Sequence, residues 1–386
     1  MLKHVFILIS AFLTGIGCIN GQVPDCPARV QYLFIVTTDG MRWQEVFNGA
    51  DSALLFDKTF TPETEWYSRL YWAPEPAARR QKLMPFLWSV FAAQGNLYGN
   101  RQYGNMVNVS NAARLSYPGY NELFTGDTDD ERINSNRKIA NPNTNVLEFL
   151  HHQPALRERV AAFASWDVFP YILHEKRAGF PVNAAFENVD LASSTAELRT
   201  LNALQHVQPK YWDDGVRLDF MTFAIARAYI EARHPSVTFI GLDETDEYAH
   251  AGRYGQYLDA AHQVDCHLAK LWDFIQRDSV YCGKSALLVT VDHGRGDKIK
   301  KQWCDHGPRV EGADQIWFGL ISPGIQAGGE RKEPIQIWQK QLASTMAGLL
   351  GYSFQCDHPV AESLEGLLNS PDKIVVSLRA ADTSAQ

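Results

Sequence analysis

YLFIVTTDG, residues 32–40, decides how the rest of this chain is read. Seven apolar or β-branched residues run without interruption into Asp39-Gly40. No polar alternation prepares one face for water, so the run suits a strand buried on both faces of a parallel sheet. SVTFIGL (236–242) and ALLVTV (286–291) have the same character, and QIWFGLIS (315–322) is a fourth such run. Helical patterns over 213–233, 253–277 and 337–350 lie between and after them. Strands alternating with helices predict an α/β fold: a mainly parallel central sheet with helices on both faces. Ligands of such sheets collect beyond the carboxyl ends of the strands. Asp39 and Asp292 directly follow predicted strands, and Asp246 comes four residues after Leu242. Segments 43–115 and 176–212 show few clear elements and are expected to form loops and short helices around the site entrance.

The bulk properties exclude several classes. The 386 residues carry a formal charge of −8, and 45% are hydrophobic. That composition supplies a core and does not fit a disordered chain. No lysine- or arginine-rich run offers a nucleic-acid backbone a partner. At the start, Lys3 precedes VFILISAFLTGIG (5–17), an apolar stretch too short to span a bilayer comfortably. It predicts a signal peptide over 1–21, a secreted or periplasmic protein, and no transmembrane segment in the mature chain. A lipid anchor at Cys18 is the less favoured alternative, because Gly15 stands where a lipoprotein signal carries leucine. Residues 22–386 are read as one domain. Beyond Cys18 there are five cysteines, so at least one is unpaired within the chain. None has zinc-finger spacing, and a metal site here must use carboxylate and imidazole. Asn108-Val-Ser110 fits a glycosylation sequon.

Five short stretches carry the chemistry. They are IVTTDGMR with Asp39, RLSYPGYNELFTG with Ser116, DETDEYAHAGRYG with Asp246 and His250, LLVTVDHGRGD with Asp292 and His293, and WCDHGP with His306. Asp246 and His250 are spaced i, i+4, which on a helix turns both side chains to one side. Asp292 and His293 are adjacent and can both reach a sheet edge only from a tight turn. Mixed Asp and His donors favour zinc, with manganese or iron as alternatives. Arg42 and Arg295 can offer charge-assisted bonds to an anion, although structural ion pairing is the commoner role for such arginines.

The order and setting of these stretches resemble the alkaline phosphatase superfamily, in particular its nucleotide pyrophosphatase/phosphodiesterase-like and bacterial phosphatase branch. The resemblance implies an alkaline phosphatase-like fold and two divalent ions. Asp39, Asp292, His293 and the oxygen of Ser116 would hold one ion, and Asp246, His250 and His306 the other. Asp243 competes with Asp246, which fits the family's Asp-x-x-x-His-x-x-Gly pattern better. Ser116 would be the nucleophile, forming a phosphoseryl intermediate. Asn136, 20 residues further on, would contact a non-bridging phosphate oxygen, with Asn134 and Asn141 as competitors.

The expected function is thus a secreted phosphoric ester hydrolase acting on a small-molecule phosphate ester, monoester slightly ahead of diester. Sulfate or phosphonate ester hydrolysis is the alternative. The formylglycine motif of sulfatases, [CS]-x-P-x-R, is broken here, because Tyr120 stands where arginine is required. A phosphoglycerate mutase-like isomerase is a further alternative, opposed by the signal peptide and the chain length. A non-catalytic metal-binding protein is the last, and no expected ligand is missing to support it.

Overall fold

The computed structural model describes residues 30–190 and 195–364, together with 366 and 368. The predicted signal peptide, Cys18 and Cys26 lie outside the described residues. Twelve strands are β1 (Tyr32–Thr38), β2 (Asn96–Tyr98), β3 (Asn105–Asn108), β4 (Val160–Ala164), β5 (Val182–Ala184), β6 (Tyr211–Asp214), β7 (Val237–Leu242), β8 (Ser285–Thr290), β9 (Gln315–Ile316), β10 (Phe318–Ile321), β11 (Gly329–Glu330) and β12 (Ile335–Trp338). Eight of them form the central sheet in the order β11-β2-β10-β8-β1-β7-β4-β5. From β8 to β5 all neighbours pair in parallel. β10 runs antiparallel to both β8 and β2.

Every residue of β1, β4, β7 and β8 is buried, as strands covered on both faces require. The two coverings can be named. Phe239 packs edge-on against Phe124, on the helix Ser116–Thr125. Its neighbour Ile240 points to the opposite face. Ile240 is in register with Phe163, which meets Tyr229 on the helix Asp219–Arg233. The predicted helices are present, trimmed to Asp219–Arg233, Tyr254–Arg277 and Gln341–Leu349.

Some expectations need correcting. QIWFGLIS is not one strand of the parallel set. It splits at Trp317 into β9, which joins β3 and β12 in a small second sheet, and the antiparallel β10. The residues 43–115 hold short helices, as expected, and strands as well. They hold the helices Thr64–Tyr71 and Pro76–Leu83 and the strands β2 and β3. The sequon asparagine is not available as folded: Asn108 is buried, and its amide donates to Asp314 Oδ2 at 2.6 Å. Among the described residues Cys266, Cys282, Cys304 and Cys356 are all free.

The helix Tyr254–Arg277 shows how tightly the layers fit. Tyr257, Leu258, Ala261, Val264, Leu268, Leu271 and Ile275 recur at three- and four-residue steps and are buried. On this helix His267 is buried face to face against Phe223, with ring centroids 4.3 Å apart. Neither of its nitrogens has a hydrogen-bond partner among the described residues. Burial, with a smaller push from Lys270, lowers its pKa from 6.5 to about 4. Below pH 6.5 the unfolded chain therefore takes up a proton that the folded chain refuses until about pH 4. Stability falls as pH drops through that window, by about 3 kcal/mol at its lower end. His267→Phe keeps the stack and removes this proton. The variant should match the wild type at pH 7.5 or exceed it slightly, and its advantage in urea midpoint should grow towards pH 4.5. An advantage that does not change with pH would place the effect elsewhere.

Candidate active site

The edge where β1, β7 and β8 end is the natural place to look. Thr38 of β1 is in register with Leu242 of β7, and Thr37 with Thr290 of β8. The residues that follow each strand thus emerge side by side. Asp39 leaves β1 and Asp292 and His293 leave β8. The helix Glu244–His250 starts two residues beyond β7 and carries Asp246 and His250. Gly40 has φ +56° and passes so close that a Cβ there would lie 2.9 Å from Asp246 Oδ1. A side chain at this position would fill the space between the carboxylates.

Ser116 comes from a different element. It opens the helix Ser116–Thr125, after the extended Leu115. Gly119 lets this helix lie on the β8 turn, because a Cβ there would meet the Asp292 carbonyl oxygen at 2.2 Å. Ser116 Oγ lies 3.3 Å from His293 Nε2. The same nitrogen is 3.3 Å from Asp39 Oδ1 and 3.4 Å from Asp292 Oδ2. Asp246 Oδ2 is 3.1 Å from His250 Nε2, and Asp246 Oδ1 is 3.9 Å from both His293 and His306 Nε2. His250 and His306 meet through their Nε2 atoms at 3.0 Å. All seven predicted residues therefore share one site. His293 borders both halves, since its ring also stacks on His306 at 3.8 Å.

The electrostatics describe a site built for cations. Burial and then Asp39 raise the Asp292 carboxyl well above its ordinary range. Burial alone would depress His293, but Asp292 and Asp39 outweigh it and lift the imidazole to about 9. Burial, then the positive charge of His293, pushes both His250 and His306 down. Asp39 Oδ1 and Asp292 Oδ2 are buried without a hydrogen-bond partner among the described residues. Buried carboxylate oxygens without donors are costly unless an ion meets them. Asp39, Asp292 and His293 form one group of donor atoms within 4.8 Å of one another, and Asp246, His293 and His306 form another. The residues fit divalent metal ions.

Supporting contacts fix these side chains. His306 Nδ1 is 3.0 Å from the Arg114 carbonyl and His293 Nδ1 is 2.9 Å from that of Gly294. Both arrangements leave Nε2 turned to the site, as metal-binding imidazoles require. Arg295 is not free to hold an anion. It is buried, donates to the carbonyls of Gly40 and Cys304, and pairs with Asp246 Oδ1. Arg42 is likewise bound up with Glu45, which also accepts from Tyr254. Asp219 is a contributor that the sequence reading passed over. Its carboxylate accepts from the amides of Asp243 and Glu244, so it anchors the start of the helix that carries Asp246. No signal in the sequence marked it, because Asp219 lies inside the predicted helical span 213–233 and heads only the observed helix.

Asp243, the competitor of Asp246, is buried and makes no ion pair with a histidine among the described residues. Asn136 is exposed, and its Oδ1 accepts the amide of Tyr117, the residue after Ser116. Its competitors point elsewhere: Asn141 donates to Asn121, and Asn134 to the carbonyls of Asp130 and Glu131. Glu122 is turned away from Ser116, accepting from the amides of Ser110 and Asn111.

Comparison with known proteins agrees with this geometry. Residues 219–314, which hold Asp246, His250, Asp292, His293 and His306, match the model of the Metalloenzyme superfamily. The fold is alkaline phosphatase-like. Wild-type alkaline phosphatase PafA superposes with a TM-score of 0.52 at 10% identity, covering 86% of this chain and 98% of that one. A phosphonate monoester hydrolase from Silicibacter pomeroyi gives 0.53 at 14% identity, over 89% and 77% of the two chains. A 2-O GAG sulfatase gives 0.56 at 12% identity, over 89% and 74%. No curated protein matches the chain in sequence. No helix among the described residues is long and apolar enough to cross a membrane.

Proposed function

We propose that the chain is a secreted metallohydrolase of phosphate esters in which Ser116 attacks phosphorus. One observation carries this reading: Ser116 Oγ stands at a helix N-terminus, 3.3 Å from a histidine that also borders two buried carboxylates, each with one oxygen that has no hydrogen-bond partner among the described residues. Asp39, Asp292, His293 and Ser116 would hold one divalent ion, and Asp246, His250 and His306 the other, with zinc favoured by the donor types. Bound there, such ions lower the pKa of the Ser116 hydroxyl and stabilise charge developing on the ester oxygens.

The chain's own residues do the rest. Ser116 gives up its proton to solvent as Oγ bonds to phosphorus, and the ester oxygen departs with its bonding electrons and takes up a proton from solvent. Water then cleaves the phosphoseryl bond, returning the serine and releasing phosphate. Asn136, whose Oδ1 accepts the Tyr117 amide, would donate its Nδ2 to a non-bridging oxygen. The N-terminus of the helix Ser116–Thr125 favours the anion. Arg295 keeps Asp246 in position.

Phosphate is favoured over sulfate by Tyr120. Its ring is buried against Phe169, its hydroxyl accepts from Thr37 at 3.3 Å, and it fills the core where the formylglycine motif needs arginine. Glu122, pinned by Ser110 and Asn111, does not oppose a dianion, which leans the choice to monoesters. One aryl group presented as phosphate monoester, methyl diester, phosphonate and sulfate tests this. The expected order of kcat/KM is monoester, then diester, with sulfate last. Sulfate above both phosphates would overturn the assignment, and diester above monoester would make the enzyme a phosphodiesterase.

A further inference from the structure

A second set of metal-ligating side chains lies away from this site, on the segment after the helix Gln341–Leu349. Cys356, Asp357 and His358 each offer a donor atom, and the three lie within 4.8 Å of one another. His358 is engaged at both ring nitrogens. Nδ1 is 2.9 Å from the carbonyl of Pro359. Nε2 is 2.9 Å from the carbonyl of Thr144 and 3.2 Å from Cys356 Sγ. A neutral imidazole has one N–H and can satisfy only one of these carbonyls. If Nδ1–H donates to Pro359, the Nε2 lone pair can accept the Cys356 S–H but is left facing the Thr144 carbonyl oxygen at 2.9 Å. A cation at that point removes the conflict, and an imidazole N–H held by a backbone carbonyl is the usual support of a metal-bound histidine. Asp357 sits on the same side, its Oδ1 3.3 Å from the hydroxyl of Thr144.

We propose that Cys356, Asp357, His358 and the Thr144 carbonyl form a binding site for one thiophilic divalent cation of the zinc class. Cys356 gives up its thiol proton to solvent as the sulfur–metal bond forms. The donor set of one sulfur, one imidazole and oxygens suits zinc and rejects magnesium and calcium. The ion would clamp the C-terminal segment to the loop around Thr144. That loop braces the helix of Ser116, because Asn141 and Asn143 both donate to Asn121. The site is therefore structural, and it stands independently of the catalytic reading.

Cobalt titration of the metal-free full-length protein tests it. No thiolate belongs to the candidate active site, so a sulfur-to-cobalt charge-transfer band reports a cysteine ligand. The band should appear in the wild type, disappear in Cys356→Ser and His358→Ala, and persist in His250→Ala. Zinc should slow alkylation of Cys356, followed by peptide mass spectrometry, by roughly tenfold or more. Circular dichroism confirms that Cys356→Ser, a change on a partly exposed turn, is folded. No band in the wild type, or a band that survives in Cys356→Ser, overturns the site. So does alkylation that zinc leaves unchanged, which would leave a thiol–imidazole hydrogen bond in place of a metal site.

Discussion

Ser116→Ala should lower kcat by at least about three orders of magnitude while leaving the fold and the metal content almost intact. The size follows from what the substitution removes. Ser116 Oγ is the hydroxyl set among His293, Asp39 and Asp292 at the start of a helix. Alanine is a good helix residue and adds no volume, so the helix Ser116–Thr125 keeps its packing on the Asp292 turn through Gly119. The loss should therefore appear in kcat, with no comparable shift in unfolding midpoint. Ser116→Thr offers the same oxygen and should keep part of the activity. The two variants together separate nucleophile from a merely structural residue: Leu115 is the cap position and no side chain caps this helix, so a serine there for packing alone would cost little stability and little turnover. Near-normal hydrolysis by Ser116→Ala would mean that water attacks the ester directly. Rapid quench of the wild type adds a second check, since a covalent intermediate should give a labelled Ser116 peptide.

How much of this was legible in the sequence depends on which forces act locally. β1, β7 and β8 are buried on both faces, and their apolar runs say so directly. Their carboxyl ends also located Asp39 and Asp292. The i, i+4 spacing of Asp246 and His250 was readable for the same reason: one helical turn decides it. β2, β4 and β5 were not legible. NLY, VAAFA and VNA are short and weak in propensity, and they are strands only because the sheet pairs them. The fate of QIWFGLIS was equally hidden. A break at Trp317, whose indole donates to the Met41 carbonyl, is a tertiary event with no local signal. Glu122, Arg295 and Asp219 show the same limit on the polar side. Each is a charged residue whose partners lie 9 to 255 positions away, and spacing cannot reveal such partners. The resemblance pointed to seven candidate residues, and the structure brings them together. The structure adds why they stay in place.

Asp292→Asn should abolish activity and, in the metal-free protein, raise stability. Both signs follow from one observation. Asp292 is fully buried, and burial together with Asp39 opposes its ionisation. One oxygen accepts the amide of Gly40 at 3.1 Å, and the other has no hydrogen-bond partner among the described residues. Without ions, only the His293 imidazolium, 3.4 Å from that second oxygen, offsets part of this cost. Asparagine keeps the shape and the oxygen for Gly40, removes the charge, and can donate towards Asp39. The unfolding midpoint of the metal-free variant should rise by roughly 1–3 °C. Added zinc should reverse the order. The wild type gains about 2.7 kcal/mol at a hundredfold excess over Kd, while the variant has lost a ligand and gains much less. Melting curves with and without a chelator should thus cross between the two proteins, and chelated wild type should be inactive until metal returns. A residue buried for packing alone would give no crossing, because its contribution does not depend on metal. If Asp292→Asn destabilises the protein equally with and without metal, Asp292 is not a ligand. The half of the site shared by Asp39, His293 and Ser116 would then need another account.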